Sequence, residues 1–224
     1  MKNKNVIYVI NKGFSIYSNV TLPIVIKYAS MVKADVLVAD DDFKSSHTLS
    51  PHYDKFDIWK QFVESDYDKM LFMDLDIRIL SHTPNIFEQD VKIGLVPDHK
   101  SYLKINSFNN WMVDNNHSDG NSLHYFNGGV MLADKDSMKK MVKSLPSETA
   151  GFLPFHNLFN DVDQPIINYC LTKLDVDVLD NKWNRVARDP EVLKSNPPDG
   201  YFIHYLANKS RIASMDDPYR EFSL

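Results

Sequence analysis

Apolar positions along the chain follow two alternating rhythms. From Asn5 to Ile10 they run almost without a break, rich in β-branched and aromatic residues, and stop at Asn11-Lys12-Gly13, which predicts a strand opening into a loop. Leu22, Val25, Ile26, Ala29 and Val32 then recur three and four places apart, which predicts a helix over Thr21 to Val32 with Pro23 tolerated in its first turn. The same rhythms return as a strand over Ala34 to Ala39, a helix over Tyr53 to Glu64, and strands over Met70 to Met73, Ile77 to Leu80 and Val91 to Val96. The Met70 run is apolar on both faces, which predicts a buried, parallel position. Between Pro97 and Tyr125 Asn, Asp, Ser and His dominate around one apolar patch, Phe108 to Val113, and the expectation is a long functional or mobile loop. Gly129 to Ala133 (strand), Lys135 to Leu145 and Gln164 to Lys173 (helices), and Val176 to Leu179 and Tyr201 to Tyr205 (strands) complete the pattern. This order, free of repeats and linkers, predicts one α/β domain with its ligand beyond the carboxyl ends of the strands.

Composition narrows the classes. With 224 residues, 43% of them hydrophobic, the chain can bury a real core and is too apolar for disorder. Its 25 basic and 30 acidic side chains give a net charge of −5, without the basic footprint of a nucleic-acid protein. The single cysteine, Cys170, permits neither an internal disulfide nor a thiolate zinc site. Val6 to Ile10 is too short for an export signal, and no stretch reaches the roughly 20 apolar residues that span a bilayer. Ile212 to Leu224, broken by Pro218, is not a basic amphipathic tail. The expectation is a soluble, cytoplasmic protein with no stable membrane insertion.

One segment carries chemistry more clearly than any other. In Met70-Leu71-Phe72-Met73-Asp74-Leu75-Asp76 an apolar strand runs straight into an acidic pair, and alternation puts Asp74 and Asp76 on the same side. Two such carboxylates repel and are costly to desolvate unless a cation lies between them. Hard oxygen ligands suit Mg²⁺ or Mn²⁺, with phosphate and water filling the remaining positions. The plainer alternative is a solvated turn between two strands. Asp114 to Gly120 superficially suggests a calcium loop, but its glycine falls at the seventh place and Tyr125 stands where a bidentate Glu belongs.

The Phe72-Met73-Asp74-Leu75-Asp76 segment resembles the Asp-x-Asp of glycosyltransferases with the nucleotide-diphospho-sugar (GT-A) fold. The resemblance is strongest to family 8, which includes glycogenin and bacterial galactosyltransferases. It extends from Val6 to Lys209. Phe126-Asn127-Gly128-Gly129-Val130 is similar to that family's Phe-Asn-(Ser/Ala)-Gly-Val, and Asp163-Gln164-Pro165-Ile166-Ile167-Asn168 to its Asp-Gln-x-x-x-Asn at a helix start. Trp183-Asn184 resembles a short Trp-Asn element. His204 to Lys209 resembles His-x-x-Gly-x-x-Lys, although Ala207 replaces the glycine, Lys209 comes one place early, and the family's terminal Pro-Trp is missing. Lys55-Phe56-Asp57-Ile58-Trp59 resembles the Lys-x-x-x-Trp helix before the metal strand.

The resemblance implies a single GT-A domain with a central, mostly parallel sheet flanked by helices. Residues 1–96 would form the nucleotide-binding half and 97–224 the acceptor-side half with a metal-ligand segment. It implies a hexosyltransferase moving a hexose from a UDP-sugar to a hydroxyl of a glycan or glycoconjugate, with retention of configuration. Asp74, Asp76 and His204 would hold Mn²⁺ or Mg²⁺. Ile10, Asn11, Tyr17 (or Phe14, stacking on the base), Lys55, Leu75, Asp98, Asn127, Gly128, Gly129 and Lys209 would bind the donor, with Arg211 an alternative to Lys209. Asp163 and Gln164 would lie against the reacting sugar. Trp111, His117 and His124 are candidate acceptor contacts. Three other readings stay open: an inverting enzyme with Asp163 as base, a silent nucleotide-sugar-binding module, and a haloacid-dehalogenase-type phosphatase. The last carries Asp-x-Asp-Gly-Thr, where this chain has Ile77-Arg78 in place of Gly-Thr.

Overall fold

A computed structural model describes residues 4–13, 16–46, 51–98, 102–115, 117, 124–146, 155, 163–187, 195–206, 212, 217 and 219–224. Strands β1 (Asn5–Ile10), β2 (Ala34–Ala39), β3 (Lys69–Met73), β5 (Ile93–Pro97), β6 (Phe126–Asp134) and β7 (Asp177–Val178) form the main sheet in the order β2-β1-β3-β6-β5-β7. Every strand but β6 runs in one direction, so the sheet is mostly parallel. A second sheet, in the order β4-β9-β8, joins β4 (Ile77–Ile79), β8 (Arg185–Val186) and β9 (Phe202–His204). The described α-helices are α1 (Ile16–Val20), α2 (Leu22–Val32), α3 (Asp54–Glu64), α4 (Tyr102–Asp114), α5 (Lys135–Ser144) and α6 (Gln164–Leu171), joined by short 3₁₀ turns at Pro51–Tyr53, Ile86–Glu88 and Asn181–Asn184.

Alternation along the central strands builds two cores, one on each face of the sheet. Ile7, Val9, Leu71, Met73, Val130 and Leu132 face Val25, Tyr28 and Val32 of α2 and Ile77, Ile79 and Phe202 of the second sheet. Val6, Tyr8, Met70, Phe72, Met131 and Ala133 face Phe56, Trp59 and Phe62 of α3, Met138 and Met141 of α5, and Ile166, Ile167 and Cys170 of α6. Both faces are covered, which is why these strands read as continuous apolar runs.

Three expectations need correction. β3 is parallel only to β1, because β6 pairs with it antiparallel on the other side. The strands predicted at Ile77 and Tyr201 belong to a separate sheet. The stretch after Pro97 contains the thirteen-residue helix α4. Its Asn and Ser residues are weak helix formers and obscured the spacing of Ile105, Phe108 and Met112. That face packs: Phe108 and Met112 are buried with Tyr125 in a third small cluster.

A buried ionic group ties the end of the chain to β4. The Arg78 guanidinium meets Asp217 at 2.9 Å, the Ser223 hydroxyl at 2.6 Å and the Ile212 carbonyl at 3.0 Å, while the Tyr205 hydroxyl donates to Asp217. In the sequence Arg78 marks only a departure from a phosphatase motif. Its actual work is to anchor the second sheet.

Candidate active site

The acidic pair lies where the chain passes from one sheet to the other. β3 ends at Met73, residues 74–76 leave the strand in a turn, and β4 begins at Ile77. Asp74 N–H donates to the Gly129 carbonyl of the main sheet (2.8 Å), and Tyr205 N–H donates to the Asp76 carbonyl (3.0 Å). Ile77 pairs in register with His204, which sets the imidazole beside the turn. One oxygen of Asp74, one of Asp76 and one ring nitrogen of His204 therefore lie within 4.8 Å of one another. His204 Nε2 is 3.2 Å from Asp76 Oδ1.

Lys55 enters from α3 with its side chain only 3% exposed. Its Nζ binds the Asp163 carboxylate, donates to the Gly128 carbonyl at 3.0 Å, lies 3.7 Å from Asp74 Oδ1 and sits 4.5 Å from the Phe72 ring centre. Burial, the largest influence on Lys55, would lower its pKa, but the charges of Asp163 and Asp74 outweigh it and raise the value. Burial would likewise raise Asp163, yet the Lys55 ammonium holds that carboxyl below the usual range. Asp74 is pushed up, first by burial and also by Asp76, against the pull of Lys55. At His204 burial acts downward, and the contact with Asp76 and the charges of both Asp76 and Asp74 raise it on balance. Three carboxylates thus stand against one ammonium, which Asp74 and Asp163 share, and one imidazole, which meets Asp76, a net acidic group that a divalent cation would offset.

The start of β6 closes the group. A Cβ on Gly129 would fall 2.5 Å from His204 Cε1 and 3.0 Å from Asp74 Oδ2, so only glycine allows this approach. A Cβ on Gly128 would meet Ile167 at 2.7 Å. Asn127 Oδ1 accepts from Gly129 N–H (2.9 Å) and from Asn184 Nδ2 (2.8 Å), and Asn184 Oδ1 lies 2.9 Å from His204 Nδ1. Gln164 Nε2 donates to Asp98 (3.0 Å), and its Oε1 accepts from Gly128 N–H (3.4 Å). Asn168, one turn along α6, clamps Phe126 through both backbone groups at 2.7 and 2.9 Å. Two carboxylate oxygens and an imidazole, packed where a Cβ would not fit, suit a hard or borderline divalent cation.

The site thus joins Lys55, Asp74, Asp76, Asp98, Asn127, Gly128, Gly129, Asp163, Gln164 and His204 in one network. Tyr17 borders it: burial first, then the Asp76 charge, pushes its phenol up to about 12. Leu75 turns into the core, and its carbonyl accepts from the buried Thr21 hydroxyl. Ile10 ends β1, half-buried against the second core, and the Asn11 side chain accepts from Ser18 at 2.6 Å. Phe14, Lys209 and Arg211 lie outside the described residues. Trp111 and His117 meet Phe155 and Tyr169 in tilted and edge-on ring contacts around a cavity of about 350 Å³, while His124 lies beside Phe126. The links through Asn184 and Asn168 were missed as interactions, although both residues end motifs visible in the sequence.

This arrangement is that of a GT-A glycosyltransferase. The profile of glycosyl transferase family 8 matches residues 39–209, and the chain belongs to that family. It is a glycosyltransferase, which displaces the phosphatase reading of the acidic pair. No curated protein sequence matches it. Among solved structures it is similar to the galactosyltransferase LgtC in complex with donor and acceptor sugar analogues, at 15% identity and a TM-score of 0.60 over 91% of this chain and 87% of that one. A glycosyltransferase involved in glycosylation of the major capsid of PBCV-1 is similar at 15% identity and a TM-score of 0.57, over 92% and 97% of the two chains. Mouse xyloside xylosyltransferase 1 is similar at 12% identity and a TM-score of 0.54, over 91% and 98%. At these identities the likeness concerns the fold. Among the described residues no helix is long and apolar enough to cross a membrane.

Proposed function

We propose that this enzyme transfers a hexose from a UDP-sugar to a hydroxyl of a glycan or glycoconjugate, in the cytoplasm, with retention of configuration. Residues 1–96 supply the nucleotide side and 97–224 the acceptor side. The observation that carries the reading is the convergence of Asp74, Asp76 and His204, with one ligand atom of each lying within 4.8 Å of the others. These three residues would hold Mn²⁺ or Mg²⁺. When bound, such a cation supplies Lewis acidity at the departing diphosphate.

The remaining residues bind and orient. Asn127 contacts the donor sugar, and the glycines beside it let the backbone come close. Asp98, just after β5, and Gln164, at the start of α6, form a hydrogen-bonded pair that grips the sugar. Ile10, Asn11, Tyr17 and Leu75 border the nucleotide, and Lys209 or Arg211 meets the diphosphate. Asp163 stays ionised because Lys55 holds its pKa down. A carboxylate paired with an ammonium is a weaker base than a free one, which favours an electrostatic role at the oxocarbenium-like centre over the inverting reading.

Calorimetry with UDP and Mn²⁺, followed by a donor-hydrolysis assay, tests binding and turnover separately. Asp76→Asn is expected to abolish Mn²⁺-dependent turnover with the fold intact; full activity in that variant removes the metal assignment. Binding without turnover in the wild type would leave the silent module. Proton NMR of the first-formed linkage decides retention against inversion.

A further inference from the structure

We propose that Asn184 is a positioning residue that holds the metal-side imidazole and the donor-side amide together, so that cation loading and donor recognition depend on one side chain. The proposal rests on the functional reading above, which takes His204 as a ligand and Asn127 as a sugar contact.

The hydrogen bonds can be assigned in order, starting from a group with no ambiguity. The backbone N–H of Gly129 can only donate, so the Asn127 atom 2.9 Å from it is the carbonyl oxygen. The Asn184 atom 2.8 Å from that same oxygen must also donate, so it is Nδ2. The other end of the Asn184 amide is then its oxygen, and it faces His204 Nδ1 at 2.9 Å. An oxygen there accepts, so the neutral imidazole carries its proton on Nδ1. In that neutral form the Nε2 lone pair lies on the same side as the Asp76 carboxylate, 3.2 Å away, as for two ligands of one cation. The same chain turns the Asn127 oxygen inward, toward Gly129 and Asn184, and leaves its NH₂ as the end that can donate to a sugar hydroxyl.

The local packing makes Asn184 a rigid support. It is 7% exposed and ends a short 3₁₀ turn, Asn181–Asn184, in which Asp180 caps the Lys182 N–H at 2.8 Å. Trp183, fully buried, packs its ring tilted against Tyr201 and edge-on against Phe202, the residues leading to His204 on β9. Metal-bound histidines are commonly oriented through their second ring nitrogen, and removing the partner weakens metal binding about 10–100-fold. Here that partner is also bonded to the donor-side asparagine.

The test uses the full chain and Mn²⁺ alone as the first probe, by calorimetry, then steady-state kinetics with a UDP-hexose at saturating Mn²⁺. Asn184→Leu keeps the number and branching of side-chain heavy atoms and removes both bonds. It is expected to weaken Mn²⁺ binding about 10–100-fold and to raise donor KM more than it lowers kcat. Asn184→Asp retains an oxygen for His204 Nδ1 but offers no N–H to Asn127. It is expected to keep Mn²⁺ affinity while still raising donor KM. Unchanged Mn²⁺ affinity in Asn184→Leu overturns the proposal, as does equal loss of Mn²⁺ binding in both variants. Wild-type protein that takes up no Mn²⁺ removes the metal reading itself, and this inference falls with it; that outcome is distinct because it needs no variant.

Discussion

The hydrogen that stands in place of a side chain at Gly129 leaves room for two groups of the site, since a Cβ would press on both His204 and Asp74. Gly129→Ala is therefore expected to lower Mn²⁺ affinity at least about tenfold while the protein remains folded, as measured by calorimetry alongside thermal unfolding. Lys55 presents the opposite case, a charge whose removal exposes others. Lys55→Met would leave Asp163 and Asp74 facing each other without their ammonium. Breaking a buried pair from one side costs about 3–5 kcal/mol. Denaturant unfolding of metal-free protein should show a loss of that order, and a loss near zero would mean that solvent already screens the pair. Asp-x-Asp, Phe-Asn-Gly-Gly and Asp-Gln were visible along the chain because each is a local string. The Asn184–His204 bond was not, because twenty residues separate its ends.

Among the elements, the turn between β3 and β4 does the most to create the site. Strand alternation suggested that Asp74 and Asp76 share a side, and the carboxylates do converge, but through a turn held at each end by a different sheet. α4 teaches a second lesson. Its polar residues read as a loop, while its buried face is an ordinary helical stripe anchored by Phe108 against Tyr125, with ring centres 5.2 Å apart. Phe108→Ala is expected to cost about 3–5 kcal/mol in denaturant unfolding, as for other buried aromatic truncations. A solvated loop anchor would lose far less. The helix forms against its polar composition because helix propensity is weak and packing overrides it.

For the whole molecule, acidic residues set the response to pH. Burial would raise Asp57, but Ser46, donating from its backbone N–H and its hydroxyl (both 2.6 Å), and Lys60 at 3.0 Å bring it below the usual range. Asp163 is lowered too. A carboxyl lowered by folding adds stability that is complete above its unfolded value, about 3.9, and is lost as pH falls through the folded value. Stability should therefore drop on the acid side below about pH 4. Asp57→Asn should unfold at a lower temperature near neutrality and show a shallower acid decline, measured by thermal unfolding across that range. An equally steep decline in the variant would assign it elsewhere.

Taken alone, the sequence determined the α/β class, the places of the apolar strands and the motifs that mark a family 8 glycosyltransferase. These depend on local periodicity and on short strings, which the chain states directly. Only the tertiary structure decided that β4, β8 and β9 form a sheet of their own and that β6 runs against its neighbours. It alone brought His204 beside Asp76 and joined Asn184 to both sides of the site. Strand pairing across more than a hundred residues and a hydrogen bond between distant side chains leave no periodic trace in a sequence. They follow from which apolar faces must be buried together, and that is settled when the whole chain packs.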